Sequence, residues 1–220
     1  MDSINYDRIS NRIWDNATNK KRQYKKPFAI FLMGLPASGK STVIEKFLDE
    51  ILGLEMTKFI HIDPDIFMER VPDYDAQQAE AFNRFGVILS SKIMKKTLEK
   101  KYNYIYYGTG KNYKQYMTSI NKSFKLGFHT ILINVILEKE IAKSRAVIRS
   151  KKATSSKSPG RRIPISIINN INSQLRKRHM NTKKYKGKTN FEILSSLPTT
   201  VDWYVYDNNG DDAVLIDSSK

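Results

Sequence analysis

The run Gly34-Leu35-Pro36-Ala37-Ser38-Gly39-Lys40-Ser41 has the G-x-x-x-x-G-K-[ST] spacing of a loop that cradles phosphate. Gly34 and Gly39 admit backbone geometry closed to residues with side chains, so successive N–H groups can turn inward around phosphate oxygens. Lys40 would reach the β- and γ-phosphates of a nucleotide, and the Ser41 hydroxyl would ligate Mg²⁺. With Thr42 added, this run is the expected binding segment for ATP and Mg²⁺.

Three further groups have the right residue types to act beside such a loop. Asp63-Pro64-Asp65 offers paired carboxylates, one of which would hold the metal or accept the proton of an attacking hydroxyl. The plainer alternative is a turn in which Asp65 caps a helix. In Gly108-Thr109-Gly110-Lys111, Thr109 would bind an acceptor or a metal-bound water and Lys111 an anion; ordinary turn chemistry accounts for the same residues equally well. Arg149 and Arg161 flank the serine-rich segment Ala153 to Gly160, an arrangement suited to a lid that closes over a triphosphate. A solvated basic face is the competing reading, and it is the stronger one for Lys151, Lys152 and Lys157.

The elements that must position these groups alternate. Phe28 to Met33 reads as a buried strand and Thr42 to Leu52 as the helix after the loop. Phe59 to Ile62, Tyr102 to Tyr107 and Phe128 to Leu137 read as further strands. The first two end in Asp63-Pro64-Asp65 and in Gly108-Thr109-Gly110, so both would deliver their residues to the ligand side of an open parallel sheet. Between them, Phe82, Phe85, Leu89, Ile93 and Met94 recur at helical spacing, which predicts one long helix or two abutting ones over Asp75 to Lys101.

Helices are also expected over Asn112 to Leu126, Glu138 to Lys152 and Ile165 to Met180. Asn181 to Asn190 reads as a basic loop, and Val201 to Tyr206 with Ala213 to Ile216 as a terminal hairpin. The fold class is therefore α/β: a phosphate-loop (P-loop) sandwich with a mainly parallel central sheet and a C-terminal hairpin. Residues 1–26 read as an N-terminal extension, with Ile9 and Ile13 on one helical face to pack on the domain or on a partner. Residues 27–220 are expected to form the phosphate-loop domain, with a lid around 149–162.

Composition narrows the function classes. The 220 residues contain no cysteine, which excludes disulfides, Cys-ligated zinc and a thiolate nucleophile. His61 and His129 lie in apolar strand-like runs and His179 in a basic helix-like one, so structural or surface histidines are expected rather than a metal site. No apolar run approaches the roughly 20 residues needed to span a bilayer, so no membrane association and a cytoplasmic location are expected. A net charge of +16 is compatible with a nucleic-acid partner, and equally with an enzyme that handles phosphorylated substrates.

Taken together, Gly34 to Ser41, Asp63-Pro64-Asp65, Gly108-Thr109-Gly110, Gly160-Arg161-Arg162-Ile163-Pro164 and Tyr206-Asp207-Asn208 resemble the zeta-toxin family of P-loop kinases, from about Pro27 to Ile216. The resemblance implies ATP-dependent phosphorylation of a hydroxyl on a nucleotide sugar or similar small molecule, and an antitoxin-like protein partner. By motif position Lys40 would bind phosphates, Ser41 the Mg²⁺, and Asp65 would be the base; Asp63, Thr109 and Lys111 would contact substrate. Arg149 and Arg161 resemble the lid arginines, with Arg145 and Arg162 close enough to exchange roles. One departure stands out: similar proteins often carry a carboxylate just before the threonine of the third-strand motif, and this chain has Tyr106-Tyr107-Gly108. The alternatives are a polynucleotide 5′-hydroxyl kinase, which the charge favours, and a non-catalytic nucleotide-binding protein, which Tyr107 favours.

Overall fold

The computed structural model describes residues 5–75, 79–152, 163–180 and 183–220. Its strands are β1 (Phe28–Gly34), β2 (Ile60–Ile62), β3 (Tyr104–Tyr107), β4 (His129–Ile136), β5 (Asp202–Asp207) and β6 (Val214–Ser218). They form one sheet in the order β2-β3-β1-β4-β5-β6. Every pairing is parallel except β5 with β6, which form the expected terminal antiparallel hairpin. A parallel sheet covered by helices on both faces requires strands that are apolar on both sides. β1 meets this requirement, with every residue from Ala29 to Gly34 buried.

The period of two sorts the β1 side chains between two cores. Ala29, Phe31 and Met33 face one core, together with Leu89 and Ile93 of α4 (Ala79–Lys100), Tyr116 and Ile120 of α5 (Tyr113–Lys125) and Ile193 of α8 (Asn190–Ser195). Ile30 and Leu32 face the other, beneath Val43, Ile44 and Phe47 of α2 (Lys40–Phe47). A third cluster joins Leu35 and Leu137 to Ala142 and Ala146 of α6 (Lys139–Lys152) and to Ile168 and Ile171 of α7 (Ile165–Arg176).

α1 (Tyr6–Thr18) packs on this domain through the face that carries Ile9 and Ile13. Tyr6 stacks on Phe85 with ring centroids 6.0 Å apart, and Trp14 meets Tyr102 edge-on at 5.7 Å. Lys92 donates to Asp7 at 2.7 Å and Lys96 to Asn11 at 2.6 Å, fixing α1 along α4. No helix among the described residues is long and apolar enough to cross a membrane.

Several boundaries differ from expectation. The helix after the loop is regular only to Phe47 and ends in a π-helical turn over Leu48–Leu52, closed by Gly53 at φ +61°. Of the two alternatives expected over Asp75 to Lys101, one long helix is observed, over Ala79–Lys100. α7 stops at Arg176, four residues short of Met180. Backbone bonds from His179 N–H to the Lys188 carbonyl and from Gly187 N–H to the His179 carbonyl fold the chain back there, and these replace further helical turns. The expected loop up to Asn190 contains a short 3₁₀ turn at Lys183–Tyr185 and leads into α8, which the sequence reading missed.

Candidate active site

β1 lies between β3 on one side and β4 on the other, so successive crossovers leave it in opposite directions and open a crevice at its carboxyl end. Gly34 to Ser41 occupies that crevice. The backbone there adopts conformations that explain the residue types. Gly34 has φ +144°, and a Cβ on it would lie 2.5 Å from the Val135 carbonyl oxygen. Gly39 has φ +77°, serves as N-cap of α2 and supplies no side-chain cap. The first N–H groups of α2 therefore lack a protein side-chain acceptor, the condition that favours an anion at a helix start.

Two polar side chains, invisible to the motif, hold this loop in shape. Asn208, just beyond β5, is buried and donates from Nδ2 to the Ser38 carbonyl at 2.7 Å. A Cβ on Gly39 would come within 2.3 Å of that same nitrogen, so Gly39 is what lets Asn208 approach. From the other side, the Gly34 N–H donates to the Thr109 carbonyl at 3.2 Å. The Thr109 segment is itself held by Asn190 of α8, whose Nδ2 donates to the carbonyls of Gly110 (2.9 Å) and Lys111 (3.0 Å). Asn190 had a local signature, since Thr189 and Glu192 form a capping box that starts α8. Asn208 stood in Tyr206-Asp207-Asn208, one of the runs that carry the resemblance, but no local pattern gave it this role.

An Asn208→Ala variant is therefore expected to weaken ATP binding about tenfold and to cost about 1–3 kcal/mol of stability, because the Ser38 carbonyl loses its buried donor. Thermal melts and nucleotide titration check this. Unchanged affinity would show that the loop keeps its shape without the clamp.

The charged groups converge on the same end of the sheet. Lys40 is half-buried, and its ammonium turns back on the loop to donate to the carbonyls of Leu35 at 2.8 Å and Gly34 at 3.3 Å. Burial pushes its pKa down to about 8; the charges of Asp63 and Asp65 oppose that shift and Arg149 adds to it. Lys40 thus lies within electrostatic reach of both carboxylates and of the α6 arginine.

Asp63 is the N-cap of α3 (Pro64–Met68), accepting from the Asp65 N–H at 2.9 Å, with Pro64 in the first turn. The cap is Asp63 and not Asp65, which corrects the turn reading. Burial, reinforced by the neighbouring Asp65 charge, pushes the Asp63 carboxyl up to about 6. Asp65 is exposed in the first turn of α3.

The remaining predicted residues separate. The Thr109 hydroxyl accepts weakly from the Lys111 N–H at 3.4 Å, a turn interaction, and the Lys111 side chain is exposed. Arg145 donates to the Gly210 carbonyl at 3.1 Å, which commits it to the β5–β6 connection and leaves Arg149 as the α6 arginine that Lys40 senses. Arg161, Arg162 and the segment Ala153 to Gly160 lie outside the described residues. Ser41 and Thr42 are exposed at the start of α2.

Tyr107 is buried on the α2 face of the sheet, where its hydroxyl is 2.9 Å from Nδ1 of His61. Burial, with Asp63 and Glu45 nearby, holds this phenol above its ordinary range, so the position carries no charge. His179 pairs with Asn190 at 2.7 Å and His129 with Asp202 at 2.6 Å, consistent with structural roles. Among the described residues no group of three or more His, Cys, Asp or Glu side chains could hold a metal ion.

A family model described as zeta toxin matches residues 11–220. No curated protein sequence matches the chain. Among solved structures, one from the PezAT chromosomal toxin–antitoxin system of Streptococcus pneumoniae superposes with a TM-score of 0.72 at 19% identity, covering 100% of this chain and 81% of that one. The AvrRxo1-ORF1:AvrRxo1-ORF2 complex superposes with a TM-score of 0.69 at 11% identity, in a form with sulphate ions and in a form with ATP. There 97% of this chain aligns, spanning 66% and 65% of the other chain. At these identities the structural likeness shows the shared fold.

Proposed function

The chain belongs to the zeta toxin family, and from that premise we propose that it is an ATP-dependent phosphotransferase whose acceptor is a hydroxyl of a nucleotide sugar or similar small molecule. One observation carries the reading: the phosphate-loop lysine lies within electrostatic reach of the Asp63/Asp65 pair at the end of the sheet where the loop lies. A structure of similar fold that contains ATP lends support on the donor side.

In the proposed reaction the acceptor oxygen attacks the γ-phosphorus, and the bond from that phosphorus to the β–γ bridging oxygen breaks to release ADP. Asp65 takes the acceptor proton, Asp63 fixes the turn that presents Asp65, and Lys40 leaves its two carbonyls to follow the phosphate charge. Ser41 would hold Mg²⁺, which when bound neutralises phosphate charge and keeps the oxygens in line. Arg149, with Arg161 from the lid, would offset charge on the transferring group. A neutralising protein partner is part of the proposal, in keeping with the toxin–antitoxin setting of one structural neighbour.

Incubation with ATP, Mg²⁺, a panel of nucleotide sugars and a 5′-hydroxyl oligonucleotide, read by mass spectrometry, tests the acceptor class. A phosphorylated sugar nucleotide supports the proposal. Phosphorylation of the oligonucleotide alone would transfer it to polynucleotide ends, and no acceptor-dependent turnover would leave only nucleotide binding.

The state of Lys40 adds a pH prediction. Its pKa of about 8 in the free protein rises when phosphates surround it, so the complex takes up a proton above pH 8 that the free protein lacks. ATP affinity is therefore expected to fall by up to about tenfold per pH unit above pH 8, with proton uptake visible by calorimetry in buffers of different ionisation enthalpy. Lys40→Arg should flatten the dependence, because arginine stays charged. A flat profile in the unsubstituted protein would contradict the assignment.

A further inference from the structure

Away from the phosphate loop, α1, α3 and the β2 edge enclose a cavity of about 310 Å³. Its apolar lining includes the half-buried Ile9, the exposed Ile66 and Ile13, which keeps 9% exposure, over the buried Phe59 and Phe67. Its charged lining consists of Arg12, Lys21 and Arg70, with no carboxylate among the lining residues. Lys21 donates to the Thr57 carbonyl at 2.8 Å. Arg12 and Arg70 are exposed, and among the described residues neither guanidinium makes a hydrogen bond or ion pair. His61 completes the wall, with its ring nitrogens engaged by Tyr107 (2.9 Å) and the Met56 carbonyl (3.1 Å).

Three cations around an apolar floor form a site with two complementary requirements. Guanidinium forks match the oxygens of a phosphoryl group, and apolar side chains favour a ring over water. The volume falls at the lower end of small-molecule sites, roughly 300–1,000 Å³. We infer that this cavity is a second ligand site, separate from the phosphate loop, that takes a small aromatic phosphate monoester, its phosphoryl group on Arg12 and Arg70 and its ring against Ile9, Ile13 and Ile66.

No residue of Gly34 to Ser41 lines the cavity, so the two sites share no contact. They do share α3: Phe67 and Arg70 lie along and just beyond the helix whose first turn carries Asp65. The inference also gives α1 a role beyond packing, because Arg12, Ile13 and Ala17 all come from it.

The test uses the full chain with the fluorescent probe 8-anilinonaphthalene-1-sulfonate, displaced by phenyl phosphate at low salt. Phenyl phosphate is expected to displace the probe at concentrations at least about tenfold below inorganic phosphate, which lacks the ring. Arg12→Ala with Arg70→Ala should weaken phenyl phosphate about tenfold or more, the scale of a lost charge-assisted contact. Ala17→Phe should do so by filling the space, while Lys40→Ala and the remote pair Lys184→Ala/Lys186→Ala should leave displacement unchanged. Undiminished binding in the double arginine variant overturns the inference. So does loss of binding in Lys40→Ala, which would place the ligand in the phosphate loop, or equal competition by inorganic phosphate, which would show a general response to net charge.

Discussion

Lys40→Ala is expected to reduce ATP-dependent phosphoryl transfer by about 10²–10³-fold while leaving the melting temperature unchanged or raised. The two halves of this prediction have one cause. In the free protein the Lys40 ammonium is drawn out of water and its pKa is pushed down to about 8, so below that pH its charged form is disfavoured by the fold. A cation whose folded-state pKa is depressed opposes folding at neutral pH and ceases to do so as pH rises through the unfolded value near 10.4. Removing it relieves that opposition at the expense of two hydrogen bonds to the loop carbonyls. In the proposed reaction the same cation meets the triphosphate, so turnover is expected to fall although the fold does not suffer. A variant that melts many degrees lower would instead mark Lys40 as a structural residue, and one that keeps its turnover would remove it from the mechanism.

Asp65→Asn is expected to lower kcat by about 10²–10⁴-fold, the range for loss of a general base, with KM for ATP little altered. Asparagine keeps the size of the side chain and cannot take the acceptor proton. Asp65 is exposed in the first turn of α3, and the turn is held by the carboxylate of Asp63, so the backbone around the substitution stays capped. The substitution also has a signature that a merely structural role would lack. The Asp65 charge is one of the influences that raise Asp63 to about 6, second to burial. Without it the Asp63 carboxyl should titrate at lower pH, a shift readable by carbon NMR of the labelled carboxyl group. Undiminished kcat in Asp65→Asn would remove Asp65 as base and turn attention to Asp63. An unmoved Asp63 titration would mean that the two carboxylates do not interact as described.

Much of this arrangement is legible in the chain because its signals are local. A continuous apolar run before G-x-x-x-x-G-K-S can hardly be anything but a buried parallel strand entering a phosphate loop, and β1 with the N-terminus of α2 follows. Asp63-Pro64-Asp65 is equally local, yet the cap fell to the other aspartate. Proline favours the first helical position, so the residue before it, Asp63, takes the capping role.

What stayed hidden depends on contacts distant in sequence. Asn208 holds Ser38 across 170 positions and Asn190 holds Gly110 across 80, and no local pattern announces either bond. α8 was concealed by the basic run before it, although Thr189 and Glu192 signalled its start. Tyr107 is the instructive case. Alternation along β3 separates Tyr106 from Tyr107, but only the packed sheet shows that Tyr107 faces the α2 core, where its hydroxyl meets His61. Tyr107 thus adds no charge beside Asp63 and leaves Lys40, Asp63 and Asp65 together.

The central claim is that these three residues transfer phosphate to a hydroxyl. A single-turnover reaction with ATP labelled in the γ-phosphate, Mg²⁺ and UDP-N-acetylglucosamine tests it most directly by following where the label goes. The account predicts that the label appears in a phosphate ester of the sugar nucleotide, and that this product is lost in Asp65→Asn and in Lys40→Ala. Label that stays in ATP, or that appears only as inorganic phosphate with this and every other hydroxyl acceptor offered, would contradict it.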